Sequence, residues 1–250
     1  MSSPIAIRLL DLYRIGPGPS SSHTVGPMRA AKFFRDELIE RGVTPRRLHV
    51  DLLGSLSATG RGHGSAGAVL AGLQGWDPET CDVDLLRELP SRLAAGERIP
   101  WGDHALELRT DAVEYVPYDS QGAVGLPHPN TLRFHAHDAE DRVAVGETWC
   151  SIGGGFVQDT AGLRGDVDRH PSSPPIHAFH DGSTLLARAR ESGLGFGGLV
   201  LENEAAWASA GEDVAGGLDR VWEAMRASIG RGLEAEGELP GGLGLRRRAQ

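Results

Sequence analysis

Residues 16–27 read GPGPSSSHTVGP and set three consecutive serines, Ser20, Ser21 and Ser22, beside His23 and Thr24, between pairs of glycine and proline. Glycine and proline dictate turns, and loops built this way are where binding groups are presented. If Pro27 opens a helix, the loop lies just before its N-terminus, where unpaired backbone N–H groups and the helix dipole favour an anion. The hydroxyls add donors, so the segment fits a cradle for a carboxylate or phosphate, with His23 able to give or take a proton near neutral pH. A helix-capping serine cluster fits the same residues. No Gly-x-x-x-x-Gly-Lys-Ser/Thr pattern occurs, which argues against a nucleotide phosphate loop.

A second cluster, TGRGHGS at 59–65, leaves His63 unscreened between glycines and followed by Ser65, an arrangement suited to a general base or to a tight exposed turn. In LPHPNT at 126–131, His128 is held between prolines, as a stiff loop holds a functional side chain or as a turn leads into a strand. His135 and His137 are two apart on a strand and share one face, as metal ligands sometimes do. No acidic or histidine partner can be set beside them from spacing alone, so they read as a solvated strand face. Glu202 and Glu204 in LENEAAW read as a solvated helix start, and the three glycines of SIGGGF at 151–156 as a turn open to close ligand approach. Cys81 and Cys150 are too few for a disulfide framework or an iron–sulfur cluster and read as inert buried thiols.

The elements that position these groups follow from periodicity and punctuation. PMRAAKFFRDELIERG predicts a helix from Pro27 to the stop at Gly42, with Met28, Ala31, Phe34, Leu38 and Ile39 on one face. RRLHVDLLG at 46–54 suits a buried strand, and the glycine-rich run to residue 75 predicts a loop turning into a helix. NTLRFHAHD at 130–138 and RVAVGETWCSI at 142–152 predict a β-hairpin joined by DAED. Residues 5–14 form a short apolar segment. Past a proline-rich connector at 170–177, helices are expected at 183–192, 202–209 and 213–230, before the linker-like GELPGGLGLRRRAQ. The fold class is α/β (α+β), a mixed sheet with flanking helices. Its parts are a main domain over 1–170, a helical extension over 171–238 and a tail over 239–250 leading to something beyond it.

With 250 residues, 40% apolar and 24% charged, the composition is that of a soluble globular protein. A formal net charge of −9, with basic clustering only at Arg246, Arg247 and Arg248, argues against nucleic acid as a partner. No apolar run is long enough to span a membrane and the N-terminus lacks signal-peptide architecture, so a cytoplasmic location is expected, with no membrane partner. Lys32, the single lysine, sits mid-helix among charged neighbours, which argues against a pyridoxal phosphate site within the chain.

The segments IGPGPSSSHTVGPMRAA, GSLSATGRGHGSAGAVLAGL, LPHPNTLRFHAHD, WCSIGGGF and LGFGGLVLENEAAW occur in an order and spacing that resembles the bacterial iron–sulfur-dependent L-serine dehydratases, which deaminate L-serine to pyruvate and ammonia. The resemblance spans residues 5–248 and is to the β-chain, or N-terminal half. It implies a fold like the allosteric substrate-binding domain of some phosphoglycerate dehydrogenases. It also implies a 4Fe-4S cluster bound by a separate catalytic α half, a homo-oligomeric assembly, and a chain inactive alone. By carry-over, Ser20, Ser21, Ser22, His23 and Thr24 would help hold L-serine, His63 would be the base with His23 a second catalytic candidate, and His128, near His63 in the matching HPN motif, and Asn130 would bind substrate. The family typically reads GHGTD where this chain has Ser65 and Ala66, which keeps the hydroxyl, as a substrate-binding group, and removes the carboxylate. A stand-alone module binding L-serine or another small anion, and an unrelated metal-dependent hydrolase built on His135 and His137, are the other readings the residues allow.

Overall fold

The computed structural model describes residues 4–166, 171, 173–239 and 244–249. In chain order the elements are α1 (Leu9–Leu12), α2 (Val25–Glu40), β1 (Arg47–Gly54), α3 (Ser55–His63), α4 (Ser65–Gln74), α5 (Val83–Ala94), β2 (Arg98–Trp101), β3 (His104–Glu107), β4 (Val113–Tyr115), β5 (Asn130–His137), β6 (Val143–Gly153), β7 (Phe156–Asp159), α6 (Gly182–Ser192), α7 (Phe196–Trp207) and α8 (Val214–Glu234). They fall into two units, one of Met1–Arg14 with Asp168–Glu234 and one of Ile15–Val167 with Ala235–Gln250. Residues 4–14 thus group with the C-terminal helices, a pairing across the chain that local sequence does not carry.

The larger unit is built on a mixed five-stranded sheet in the order β4-β1-β5-β6-β7, with β4 parallel to β1 and every other pair antiparallel. The expected hairpin is β5 and β6. Alternation along β1 buries Leu48, Val50 and Leu52 on one face and leaves Arg47, His49 and Asp51 half-buried on the other. Helix α2 lays Met28, Ala31, Phe34 and Leu38 against the apolar face, where Phe34 stacks on Phe134 at 4.9 Å between ring centroids. Val69, Leu70 and Leu73 of α4 and Leu89 and Leu93 of α5 complete the core, and buried Trp101 donates its indole N–H to the Val43 carbonyl at 2.9 Å.

Several expectations are corrected. α2 begins at Val25 rather than Pro27, which sits within the first turn where its missing N–H costs no intrahelical bond. The glycine-rich run after β1 is not a loop: β1 passes directly into α3, and the expected turn shrinks to one residue, Gly64, at φ 70° between α3 and α4. The helix expected at 202–209 starts earlier, at Phe196. Glu204 is not solvated: it is 1% exposed, and its carboxylate accepts from the Arg8 guanidinium at 2.7 Å and from the Leu9 N–H at 2.8 Å. Residues 170 and 172 of the connector and 240–243 and 250 of the tail lie outside the described residues, and the described tail folds back on itself through a Glu238–Arg246 bridge. Among the described residues no helix is long and apolar enough to cross a membrane.

Candidate functional site

The chain from Ser20 to Thr24 is already a helical turn leading into α2. Ser20 O accepts from the N–H groups of His23 and Thr24, Ser21 O from Gly26, and Thr24 O from Met28. The Gly26 and Met28 donors of the first turn are therefore taken and Pro27 has none, while further unclaimed donors lie one turn upstream. Among the described residues the N–H groups of Ser20, Ser21 and Ser22 make no hydrogen bond, and neither does the Ser21 hydroxyl. Capping is not the role of the hydroxyls: Thr24 is the N-cap and its side chain makes no cap bond. Instead the Thr24 hydroxyl lies between the carbonyls of Pro17, at 2.6 Å, and Ser20. Thr24 is 2% exposed, and its hydroxyl shapes the loop.

The remaining serines converge on His23. Ser22 Oγ lies 2.9 Å and Ser20 Oγ 3.4 Å from Nδ1, while Ser55 Oγ lies 3.0 Å from Nε2. Hydroxyls both donate and accept, so either neutral tautomer is satisfied. Ser65, fully buried at the start of α4, donates its hydroxyl to the His23 carbonyl at 2.6 Å and so clamps the loop. Burial, reinforced by the neighbouring His63, pushes the His23 pKa below its usual value, against an opposing hydrogen bond at Ser55.

His63 is the last residue of α3, and its ring lies 4.7 Å from that of His23 at an interplanar angle of 51°. Its Nδ1 is buried without a partner, and among the described residues its ring makes no hydrogen bond. The two histidines therefore differ in kind. His23 is committed at both nitrogens, and His63 at neither.

Asn130 and Ser151 stand at the same end of the sheet, since Asn130 pairs in register with Gly54, the residue before Ser55. Asn130 Nδ2 donates to Ser151 O at 3.3 Å, and its own N–H donates to His128 Nδ1 at 3.0 Å. Asn130 Oδ1 and Ser151 Oγ are buried without partners. A Cβ added at Gly26 would lie 2.1 Å from Ser151 Oγ, so the end of β6 abuts the first turn of α2. Leaving such groups unpaired costs about 1–3 kcal/mol each, a cost a ligand or a docking chain would offset. His128 reaches this end of the sheet but makes no hydrogen bond or ring contact with His23 or His63 among the described residues. Sequence reading missed Ser55 and Ser151; the signal for Ser55 was its place at the first residue after a strand that hands over to a helix.

Residues 8–162 match the family described as "Serine dehydratase beta chain". The chain belongs to the serine dehydratase beta chain family. It is 41% identical to the L-serine dehydratase of Streptomyces coelicolor over 98% of this chain and 54% of that protein. It is 38% identical to L-serine dehydratase 1 of Escherichia coli over 97% of this chain and 53% of that one, and 35% identical to the L-serine dehydratase of Mycobacterium bovis over 98% and 52%. The chain spans about half the length of the curated relatives it matches.

As a serine dehydratase beta chain, this half does not fit the role of cluster holder. Its two thiols, Cys81 and Cys150, are free, and burial raises both pKa values, so neither is poised as the thiolate a cluster needs. Lys32 of this beta chain pairs with Asp36 at 2.6 Å on α2. His135 and His137, read as a solvated strand face, have partners that spacing could not supply. His135 Nε2 lies 3.3 Å from Asp51 Oδ2, and His137 Nδ1 lies 3.1 Å from both Arg47 Nη2 and Asp141 O.

Proposed function

We propose that this chain is the beta portion of a two-part L-serine dehydratase that converts L-serine to pyruvate and ammonia. It supplies the substrate-holding and proton-transfer groups to a catalytic half that carries the iron–sulfur cluster. The observation that carries the reading is the His23–His63 pair, one ring fixed by three serine hydroxyls and the other uncommitted at the same end of the sheet. His63 takes the α-proton of serine, because its ring has no competing hydrogen bond. Ser21, Ser22 and the unclaimed N–H groups of the serine turn receive the substrate carboxylate. His23, kept neutral by burial, holds the loop against Ser55 and so sets where the carboxylate sits.

Loss of the α-proton and the β-hydroxyl leaves 2-aminoacrylate and water; its imine tautomer then takes up water to give pyruvate and ammonia. Activation of the leaving hydroxyl falls to the partner half.

Steady-state kinetics on Ser21→Ala in the assembled enzyme tests the assignment. A hydrogen bond made equally to substrate and transition state contributes binding, and one to a charged carboxylate contributes about 1.5–3 kcal/mol. The expected result is a KM raised about tenfold or more with kcat nearly unchanged. A fall in kcat at constant KM would remove Ser21 from the carboxylate site.

A further inference from the structure

The polar face of the sheet carries a cluster that the dehydratase reading does not use. His49 and Asp51 lie two apart on β1 and so on one face, and the register sets Asp51 opposite Glu114 of β4 and His49 opposite His135 of β5. His49 Nε2 lies 2.8 Å from Asp51 Oδ1 and 3.7 Å from Glu114 Oε2, and one ligand atom from each of the three residues falls within 4.8 Å of the others. We propose that His49, Asp51 and Glu114 form a binding site for a divalent transition-metal ion, strapping β4 to β1, with His135 as the neighbour that holds Asp51 in place.

The geometry fits the ion. Zinc–ligand bonds of about 2.0–2.2 Å in a tetrahedral site put neighbouring ligand atoms about 3.3–3.6 Å apart. The two separations from His49, 2.8 and 3.7 Å, bracket that edge, and all three ligand atoms lie within 4.8 Å of one another, within reach of side-chain adjustment. The donor set is one imidazole nitrogen and two carboxylates, which suits a borderline ion such as Zn²⁺. His135 Nε2, 3.3 Å from Asp51 Oδ2, bonds the carboxylate oxygen that faces away from His49. Such outer partners orient a ligand and are worth about 10–100-fold in metal affinity. Half-burial of His49, Asp51 and His135 shields the site, while exposed Glu114 leaves it an entrance. Arg47 is the nearby cation on the same strand, and its guanidinium is turned to Asp141 at 2.9 Å. With three protein ligands the fourth position is open to water or to an incoming group.

The test uses the 250-residue chain, free of any polyhistidine tag, stripped with a chelator and titrated with Zn²⁺ by calorimetry, with thermal unfolding measured with and without the ion. The expected result is one equivalent of tightly bound Zn²⁺ and a Tm that rises with its concentration, since an ion bound only by the folded state stabilises it. Glu114→Gln, on an exposed side chain that the fold does not need, abolishes the Tm rise and weakens binding at least tenfold. His135→Ala weakens it about 10–100-fold. His63→Ala, which removes half of the other histidine pair, leaves Zn²⁺ binding intact. Absence of uptake, uptake indifferent to Glu114→Gln, or uptake lost in His63→Ala would each overturn the site.

Discussion

In the assembled enzyme His63→Ala lowers kcat by about 10²–10⁴-fold with a much smaller change in KM, the signature of a lost general base. The expectation rests on the asymmetry of the pair. His23 is bonded to hydroxyls at both ring nitrogens and is pushed toward the neutral form, whereas His63 has an enclosed Nδ1 with no partner. Exchanging the roles gives a different outcome. Were His23 the base, His63→Ala would cost little beyond a modest loss of packing against the neighbouring ring, 4.7 Å away. Near-wild-type kcat in His63→Ala, measured as initial rates of pyruvate formation, would therefore move the base to His23.

Gly54→Ala destabilises the chain by about 3 kcal/mol and lowers the activity of the folded fraction about 10²-fold. Gly54 joins β1 to α3 at φ 61° and ψ −126°, a conformation costing a side-chain-bearing residue about 1–3 kcal/mol. A Cβ there would lie 2.2 Å from the Pro129 carbonyl oxygen, which accepts the Ser55 N–H at 2.7 Å. Backbone cannot yield as a flexible side chain does, so the junction shifts and carries Ser55 away from His23 Nε2. Displacements of about 1 Å at a positioning group cost about 10²-fold in rate. Urea unfolding reads the first effect and kcat per folded molecule the second. A destabilised variant with wild-type kcat would show that Ser55 does not position the site.

The sequence carried the parts of this account that depend on neighbours along the chain. The apolar face of α2 was legible because Met28, Ala31, Phe34 and Leu38 recur at helical spacing, and the β5–β6 hairpin because two alternating runs flank DAED. The serine turn and the GHG motif stood out by composition. What escaped depended on partners distant in sequence. Gly60 and Gly62 were read as loop, yet they lie inside α3, where burial of Leu56 and the direct handover from β1 outweigh the weak helix propensity of glycine. Glu204 looked solvated because the Arg8 that buries it is 196 residues away. Glu114 and His135 beside His49 and Asp51 became visible only once the register of three strands was known. Thr24 and Ser65 were expected among the substrate ligands, and only the folded chain shows their protons directed into the loop's own carbonyls.

The most direct test of the central claim is pyruvate formation from L-serine by three anaerobic samples: this chain, a cluster-loaded catalytic half from its own family, and the two mixed. The account predicts no turnover by either half alone and turnover on mixing that saturates at one half per half. Pyruvate formed by this chain alone, or a mixture that stays inactive although the partner holds its full cluster, would contradict it.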